Sequence, residues 1–362
     1  MTAWQSILAI IAGAASAIAA ILVIPAAGTH PWLVAFGIAG AISLLRLARS
    51  ASYWFDGVLA VVGAAAVIAS LSEVTPSLWL ALLGSWLFAW LFIDRMANAM
   101  ATDPVRVTGA GLIVPLMFGA TLLVLWEVTV RGLNVSQVLL PSPSQIFARI
   151  VASPETLWAD FVQTFVKSVL SGYVMGCAAG LFVAILVDMS PFLKRGLLPI
   201  GNFVSALPII GIAPIMVLWF GFDWQSKAAV IVCITFFPML VNTIAGLNAA
   251  GRMERDMMRT YAAGYWQTLF KLRLPAAAPF IFNALKINST LALIGAIVAE
   301  FFGTPIVGMG FRIATEVGRL NADMVWAEVA VAAVAGSASY GLIALIERAV
   351  TFWHPSVRGG RA

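Results

Sequence analysis

Long stretches without a single charge dominate the pattern along this chain: residues 107–126, 168–187, 196–222 and 228–251 hold no Asp, Glu, Lys or Arg. A run of about 20 apolar residues suffices to cross a bilayer as a helix. A membrane barrel would instead show alternating segments of roughly ten residues, and no such alternation is present. Pro, Gly and charge punctuate the chain into ten predicted helices, at 4–26, 31–48, 56–72, 75–94, 107–130, 165–188, 196–221, 227–250, 276–300 and 326–350. The second and third are shortest, because Arg46, Arg49 and Asp56 crowd their shared loop. The pattern predicts an all-α membrane protein with about ten transmembrane helices.

Composition agrees. The 362 residues are 62% hydrophobic and 10% charged, against about 25% charged in a soluble domain; mean hydropathy is +0.98. A net charge of +5 raises nucleic-acid binding, but Lys and Arg are spread along the connecting loops rather than gathered in a patch, which membrane topology explains better. With the N-terminus inside, 14 of the 21 basic residues become cytoplasmic: Arg46, Arg49, Arg95, Arg106, Lys194, Arg195, Arg252, Arg255, Arg259, Lys271, Arg273, Arg348, Arg358 and Arg361. Six (Arg131, Arg149, Lys167, Lys227, Arg312, Arg319) fall outside, and Lys286 lies within a span. The positive-inside rule therefore places both termini in the cytoplasm. Cys177 and Cys233 lie inside predicted helices, which argues against a disulfide framework or thiolate metal site. His30 and His354 stand alone, without metal-ligand spacing. The apolar first 27 residues lack the basic n-region of a signal peptide, since no Lys or Arg precedes Arg46. They are read as a first span, with a signal segment as the alternative.

The most informative stretch is the predicted cytoplasmic loop 251–275, GRMERDMMRTYAAGYWQTLFKLRLP. Met253, Met257, Tyr261 and Tyr265 recur at i, i+4 and Leu269 continues the row, predicting an amphipathic helix with charge on its remaining surface. Periodicity alone equally allows a helix lying on anionic lipid. The loop resembles the signature of permease subunits of ATP-binding-cassette importers: an EAA triplet, three residues, a Gly, nine residues, then I-x-L-P. Aligned on Leu274 and Pro275, the acid is Asp256, Met257 and Met258 replace the alanines, the Gly position is Ala262, and a glycine follows two places later at Gly264. The LPSPS segment at 140–144, ALPIIGIAPIMVLWFG at 206–221, YWQTLF at 265–270, LPAAAP at 274–279, IVAEFFG at 297–303, GMGF at 308–311 and WHPSVR at 353–358 resemble the nitrate/sulfonate/taurine branch, over roughly residues 107–362.

That resemblance implies a six-helix type I permease core at 106–362, preceded by four additional helices at 1–105. It implies a bacterial inner-membrane homodimer, two cytoplasmic ABC ATPase subunits and a periplasmic substrate-binding protein. It also implies that Arg252, Arg255, Asp256, Arg259, Tyr261, Ala262, Gly264, Tyr265, Trp266 and Phe270 form the ATPase-coupling segment. Aromatic and Met anchors with a charged rim suit a helix-in-groove contact. The chain has no G-x-x-x-x-G-K-[ST] phosphate loop, so if the resemblance holds ATP hydrolysis belongs to another polypeptide; no cofactor is expected on this chain, and ATP and Mg are expected on the partner ATPase.

Four residues are candidates for the substrate pathway: Pro208, Pro214, Lys286 and Asn288. Pro208 and Pro214 interrupt the 196–221 helix and Pro238 the next; each either frees carbonyls toward a cavity or makes a packing kink. Lys286, within NALKINST at 283–290, would neutralise an anionic substrate, pair with a carboxylate, or snorkel toward the cytoplasm. Glu300 is expected to pair with a loop arginine. The segment 303–324 is either a dock for the binding protein or a solvated loop. In the first 105 residues, small residues (Gly13–Ser16, Gly63–Ala66) permit close helix packing, fitting a scaffold, or a regulatory or second recognition role.

An ion-coupled secondary transporter is the alternative, but it should show buried carboxylates and inverted repeats, whereas Asp and Glu fall almost entirely at predicted helix ends. An intramembrane enzyme would need a nucleophile–base pair or ligand cluster that the sequence lacks. Within the resembling family, solutes run from nitrate, sulfonates and taurine to heterocycles such as pyrimidine vitamin precursors and riboflavin. The neutral pore segments do not select among them.

Overall fold

The computed structural model describes residues 2–23, 31–44, 52–71, 75–102, 112–205, 208–303 and 306–353. His30, Arg46, Arg49, Arg106, His354, Arg358 and Arg361 lie outside them. Among the described residues the fold is all-helical: α1 (Ala3–Val23), α2 (Pro31–Leu44), α3 (Tyr53–Ala69), α4 (Pro76–Thr102), α5 (Ile113–Gly132), α6 (Pro143–Ala152), α7 (Pro154–Phe161), α8 (Leu170–Met189), α9 (Pro191–Ser205), α10 (Ile209–Phe220), α11 (Trp224–Asn248), α12 (Arg252–Thr260), α13 (Tyr265–Thr268), α14 (Leu274–Glu300), α15 (Met309–Gly318) and α16 (Ala322–Val350). π-Helical stretches, Val162–Val169 and Leu269–Arg273, join α7 to α8 and α13 to α14. Seven of these helical segments are long and apolar enough to cross a membrane; α2, α3 and α10 are shorter.

The chain divides into two compact units, Met1–Ile146 and Phe147–Ala362. In the first, α1 packs against α2 and α4, and α3 packs against α4. Small residues allow these crossings: a side chain at Gly40 would meet the Ser16 Oγ at 1.8 Å. Phe36 and Phe88 are fully buried and meet edge to face, with centroids 6.4 Å apart. Polar groups are matched near one end, where Arg95 pairs with buried Asp56 and the Gln5 amide donates to Asp94 at 2.7 Å. Beyond α5, the LPSPS segment is tied down by Glu127, which accepts from the Ser144 amide (2.9 Å) and hydroxyl (2.7 Å). Pro143 then opens α6, a position where its missing N–H costs nothing.

In the second unit α11 is the hub, packed on α8 and α14. Gly172, Gly176 and Gly180 form a stripe on α8, four residues apart, where any larger residue would strike α11. A Cβ at Gly176 would lie 2.0 Å from the Thr235 Oγ1. Small-residue stripes of this kind let membrane helices approach closely, without a hydrophobic driving force.

The predicted interruption of 196–221 falls at Pro208: α9 ends at Ser205 and α10 begins after Pro208, which has extended backbone (ψ 124°) and no N–H to continue a helical ladder. Two sequence expectations need correction. Pro214 and Pro238 do not interrupt their helices, since α10 and α11 run through them. Nor does one amphipathic helix carry the row from Met253 to Leu269. α12 stops at Thr260, and the row divides between solvent and core: Met253 is 83% exposed while Leu269 is fully buried.

Candidate functional site

α12 has no buried residue. Met253, Met257 and Tyr261 stand out from it, and Trp266 and Phe270 continue the exposed apolar surface beyond the turn, with their rings stacked at 6.0 Å. Asp256 and Arg259, both solvent-facing, pair one turn apart at 3.4 Å. Arg252 also points to solvent. The helix is therefore an unpartnered apolar ridge with charge beside it.

The turn that ends α12 explains the resemblance to the importer signature. The Ala262 amide donates to the Arg259 carbonyl (2.9 Å) and the Ala263 amide to the Met258 carbonyl (3.0 Å). This is the paired closure that ends helices on a left-handed residue, usually glycine. Ala262, at the signature's glycine position, has φ 51°. Gly264 has φ −69° and ψ 171°, extended backbone that any residue adopts. The left-handed turn is thus kept at the signature position with alanine in the place that favours glycine. At Gly264 the chain re-enters a helix, with the Gly264 amide donating to the Gln267 side chain at 3.2 Å.

Not every member of the predicted coupling set faces outward. Arg255 folds back and donates to the Ala250 carbonyl (2.6 and 2.9 Å) and the Asn248 carbonyl (2.8 Å), capping the end of α11. Tyr265 turns its hydroxyl to Asp188 at 2.8 Å. Asp188 was missed from sequence, and it is the centre of the arrangement. Arg273 grips both its oxygens, at 2.6 and 2.7 Å, and donates through Nε to the Leu247 carbonyl at 3.0 Å. One guanidinium therefore binds the ends of α8 and α11 to the start of α14. A bidentate, charge-assisted pair of this kind fixes geometry as well as adding energy. The available sequence signal was a lone carboxylate closing the apolar run 168–187.

The pathway candidates are not gathered together. Lys286 leaves α14 toward α16, where it pairs with Glu347 at 2.7 Å and lies 6.0 Å from the Tyr340 ring centre. Asn288 leaves toward α8 and α11, donating to the Thr235 carbonyl (2.8 Å) and the Cys177 sulfur (3.3 Å). Pro208 and Pro214 lie at the start and inside of α10. At the opposite end of the unit from α12, Glu300 takes no arginine; it accepts from Thr164 and from the Gly310 amide. Arg312 pairs with Asp160 instead, at 2.8 Å, and that hydrogen bond holds the guanidinium above its ordinary pKa. On the loop before α11, a hydrogen bond from the Trp224 amide keeps Asp223 below the usual carboxylate range. Among the described residues no His, Cys, Asp or Glu group is placed to hold a metal ion.

Comparison with known proteins follows the same segments. Residues 176–357 match the family described as the inner membrane component of binding-protein-dependent transport systems. The chain is 30% identical over 239 residues to a formylaminopyrimidine transport permease of Halalkalibacterium halodurans, covering 66% of this chain and 95% of the relative. It is 30% identical over 248 residues to a riboflavin transport system permease of Chloroflexus aurantiacus, covering 68% and 91%. Against the taurine transport system permease of Escherichia coli it is 28% identical over 247 residues, covering 66% and 89%.

Proposed function

The chain belongs to the inner-membrane component family of binding-protein-dependent transport systems, and we propose that α12 is the element through which a separate ATPase drives it. The protein is the membrane permease component of an ATP-binding-cassette importer for a small solute. It works with a substrate-binding protein and a cytoplasmic ABC ATPase, and ATP and Mg belong to that ATPase.

One observation carries the α12 assignment: a nine-residue helix with no buried side chain stands on a rigid base of Arg255, Arg273 and Asp188. α12 and the turn after it expose Met253, Met257 and Tyr261, and Trp266 on α13 extends that surface, with nothing among the described residues to cover it. A groove on the ATPase would bury these anchors, while Arg252, Asp256 and Arg259 form the charged rim. Arg255, Ala262, Gly264 and Tyr265 shape the loop that presents them, and Phe270 extends the ridge.

Ten crossing segments complete the proposal: α1–α4 as the additional helices of 1–105, then α5, α7–α8, α9–α10, α11, α13–α14 and α16 as the core of 106–362. An even number of crossings leaves both termini on one side, and the basic residues put that side in the cytoplasm. Two copies form the pathway, because one six-helix core supplies a single wall. The solute is a sulfonate-, nitrate- or taurine-like molecule or a heterocyclic vitamin precursor; the relatives' names include formylaminopyrimidine, aliphatic sulfonates, riboflavin, taurine and bicarbonate.

The test is ATPase capture by the purified permease. Tyr261→Ala and Trp266→Ala should each weaken capture by about 2 kcal/mol or more, as truncation of interface aromatics does. Asp256→Ala should retain capture but uncouple hydrolysis from transport. Unchanged capture by both aromatic variants, with loss of vesicle affinity for the loop, would make α12 a lipid-surface helix and refute the assignment.

A further inference from the structure

Far from α12, three helical segments converge on the start of α15. The Gly308 amide donates to Asp160 at 2.6 Å, the Met309 amide to the Thr164 hydroxyl at 2.8 Å, and the Gly310 amide to Glu300 at 2.7 Å. The Thr164 hydroxyl in turn donates to the Glu300 carboxylate, 2.8 and 3.0 Å from its two oxygens. Arg312, further along α15, closes on the second oxygen of Asp160. Asp160, Thr164 and Glu300 are buried. Gly308 sits at φ 144°, and a Cβ on Gly310 would lie 2.2 Å from the Ile297 carbonyl, so glycine is required for this approach.

The leading amides of a helix have no partners within it, and a neighbouring Ser or Asp ordinarily caps them. Here two of the caps come from more than 140 positions away, on α7 and the π-helical stretch. The third is the last residue of α14. From Tyr265 to Glu300 the chain is one helical rod of 36 residues, about 54 Å long at 1.5 Å per residue. Glu300 ends the rod at α15. Its other end carries Arg273, the Asp188 clamp and the return from α12.

We propose that Asp160, Thr164 and Glu300 are positioning residues through which the placement of α15, on the binding-protein side, registers at α12. The inference rests on the assignment of α12 to the ATPase, which puts α15 on the opposite face. Close-packed helices transmit displacement with little compliance. A docked binding protein that shifts α15 therefore moves the rod through Glu300, with Thr164 holding both parts to the α7–α8 helix.

Thr164→Val tests this, because it keeps the volume but removes both the donor and the acceptor. ATP hydrolysis of the reconstituted complex is measured without and with the binding protein that co-purifies with it, carrying its own ligand, and ATPase capture is measured alongside. Basal hydrolysis and capture should hold, stimulation should fall about five-fold or more, and Thr164→Ser should restore it. Wild-type stimulation in Thr164→Val overturns the proposal. If Thr164→Val fails to assemble, Glu300→Gln is measured in the same way. Failure of both to assemble, with Thr164→Ser intact, makes the junction merely structural and overturns the proposal too. Loss of capture in Tyr261→Ala tests the α12 assignment separately, since Thr164 is remote from that surface.

Discussion

Ala262 shows how much one backbone angle explains. The importer signature asks for glycine there, and the structure shows why: the residue ends α12 in the left-handed region at φ 51°. A non-glycine residue in that conformation costs roughly 1–2 kcal/mol, and nothing else in the loop requires alanine's methyl. Ala262→Gly should therefore stabilise the loop by about 1 kcal/mol, read as slower proteolytic cleavage at 260–264. Ala262→Val should speed cleavage. Equal cleavage rates in all three chains would mean that the loop opens for reasons unrelated to this turn. Arg273 makes a complementary point. Its charge was counted as topology in the sequence, yet its geometry makes it the fastener of three helix ends.

At the scale of elements, α14 presents two unlike faces within three residues. Lys286 and Asn288 are two positions apart, so a helix of 3.6 residues per turn sends them to opposite sides: one meets Glu347 on α16, the other Cys177 and Thr235. They cannot line one cavity from a single α14. The Lys286–Glu347 pair is mostly buried, with 17% and 16% exposure of the two side chains. Lys286→Met should thus strand Glu347 and destabilise the α14–α16 contact by about 2 kcal/mol. The double variant Lys286→Met, Glu347→Leu should recover most of that loss, giving a coupling of about 1–2 kcal/mol in a thermal-unfolding cycle. If the single variant is as stable as wild type yet transports less, Lys286 serves the solute rather than the pair.

For the whole molecule, orientation is the property on which every partner assignment depends. A reagent that cannot cross the membrane distinguishes the two faces through an introduced cysteine at an exposed position. Met253, 83% exposed on α12, meets that condition; Arg255 does not, because its guanidinium caps α11. In a background lacking Cys177 and Cys233, Met253→Cys should label only after the inner face is opened. Labelling from the outer face of intact cells would invert the topology and remove the ATPase from α12.

Membrane character and the long apolar helices were legible along the chain because they depend on local quantities: the length of uncharged runs and the placement of Pro and Gly. The acid, glycine and Leu-Pro positions of the importer signature in loop 251–275 are likewise written in short-range spacing. What spacing could not supply was pairing across distance. Asp188 with Arg273, Asp160 with Arg312, Glu300 with Thr164 and Lys286 with Glu347 join residues 61 to 152 positions apart. Each charge had several possible partners until helix packing selected one. The same limit hid the break after Thr260, since a row at i, i+4 spacing reads alike in one helix or in two. Left-handed backbone at Ala262 and the burial of Leu269 against α11 and α14 settled the matter: a helix ends where its last amides find closure, and a side chain is buried only where another element arrives to cover it.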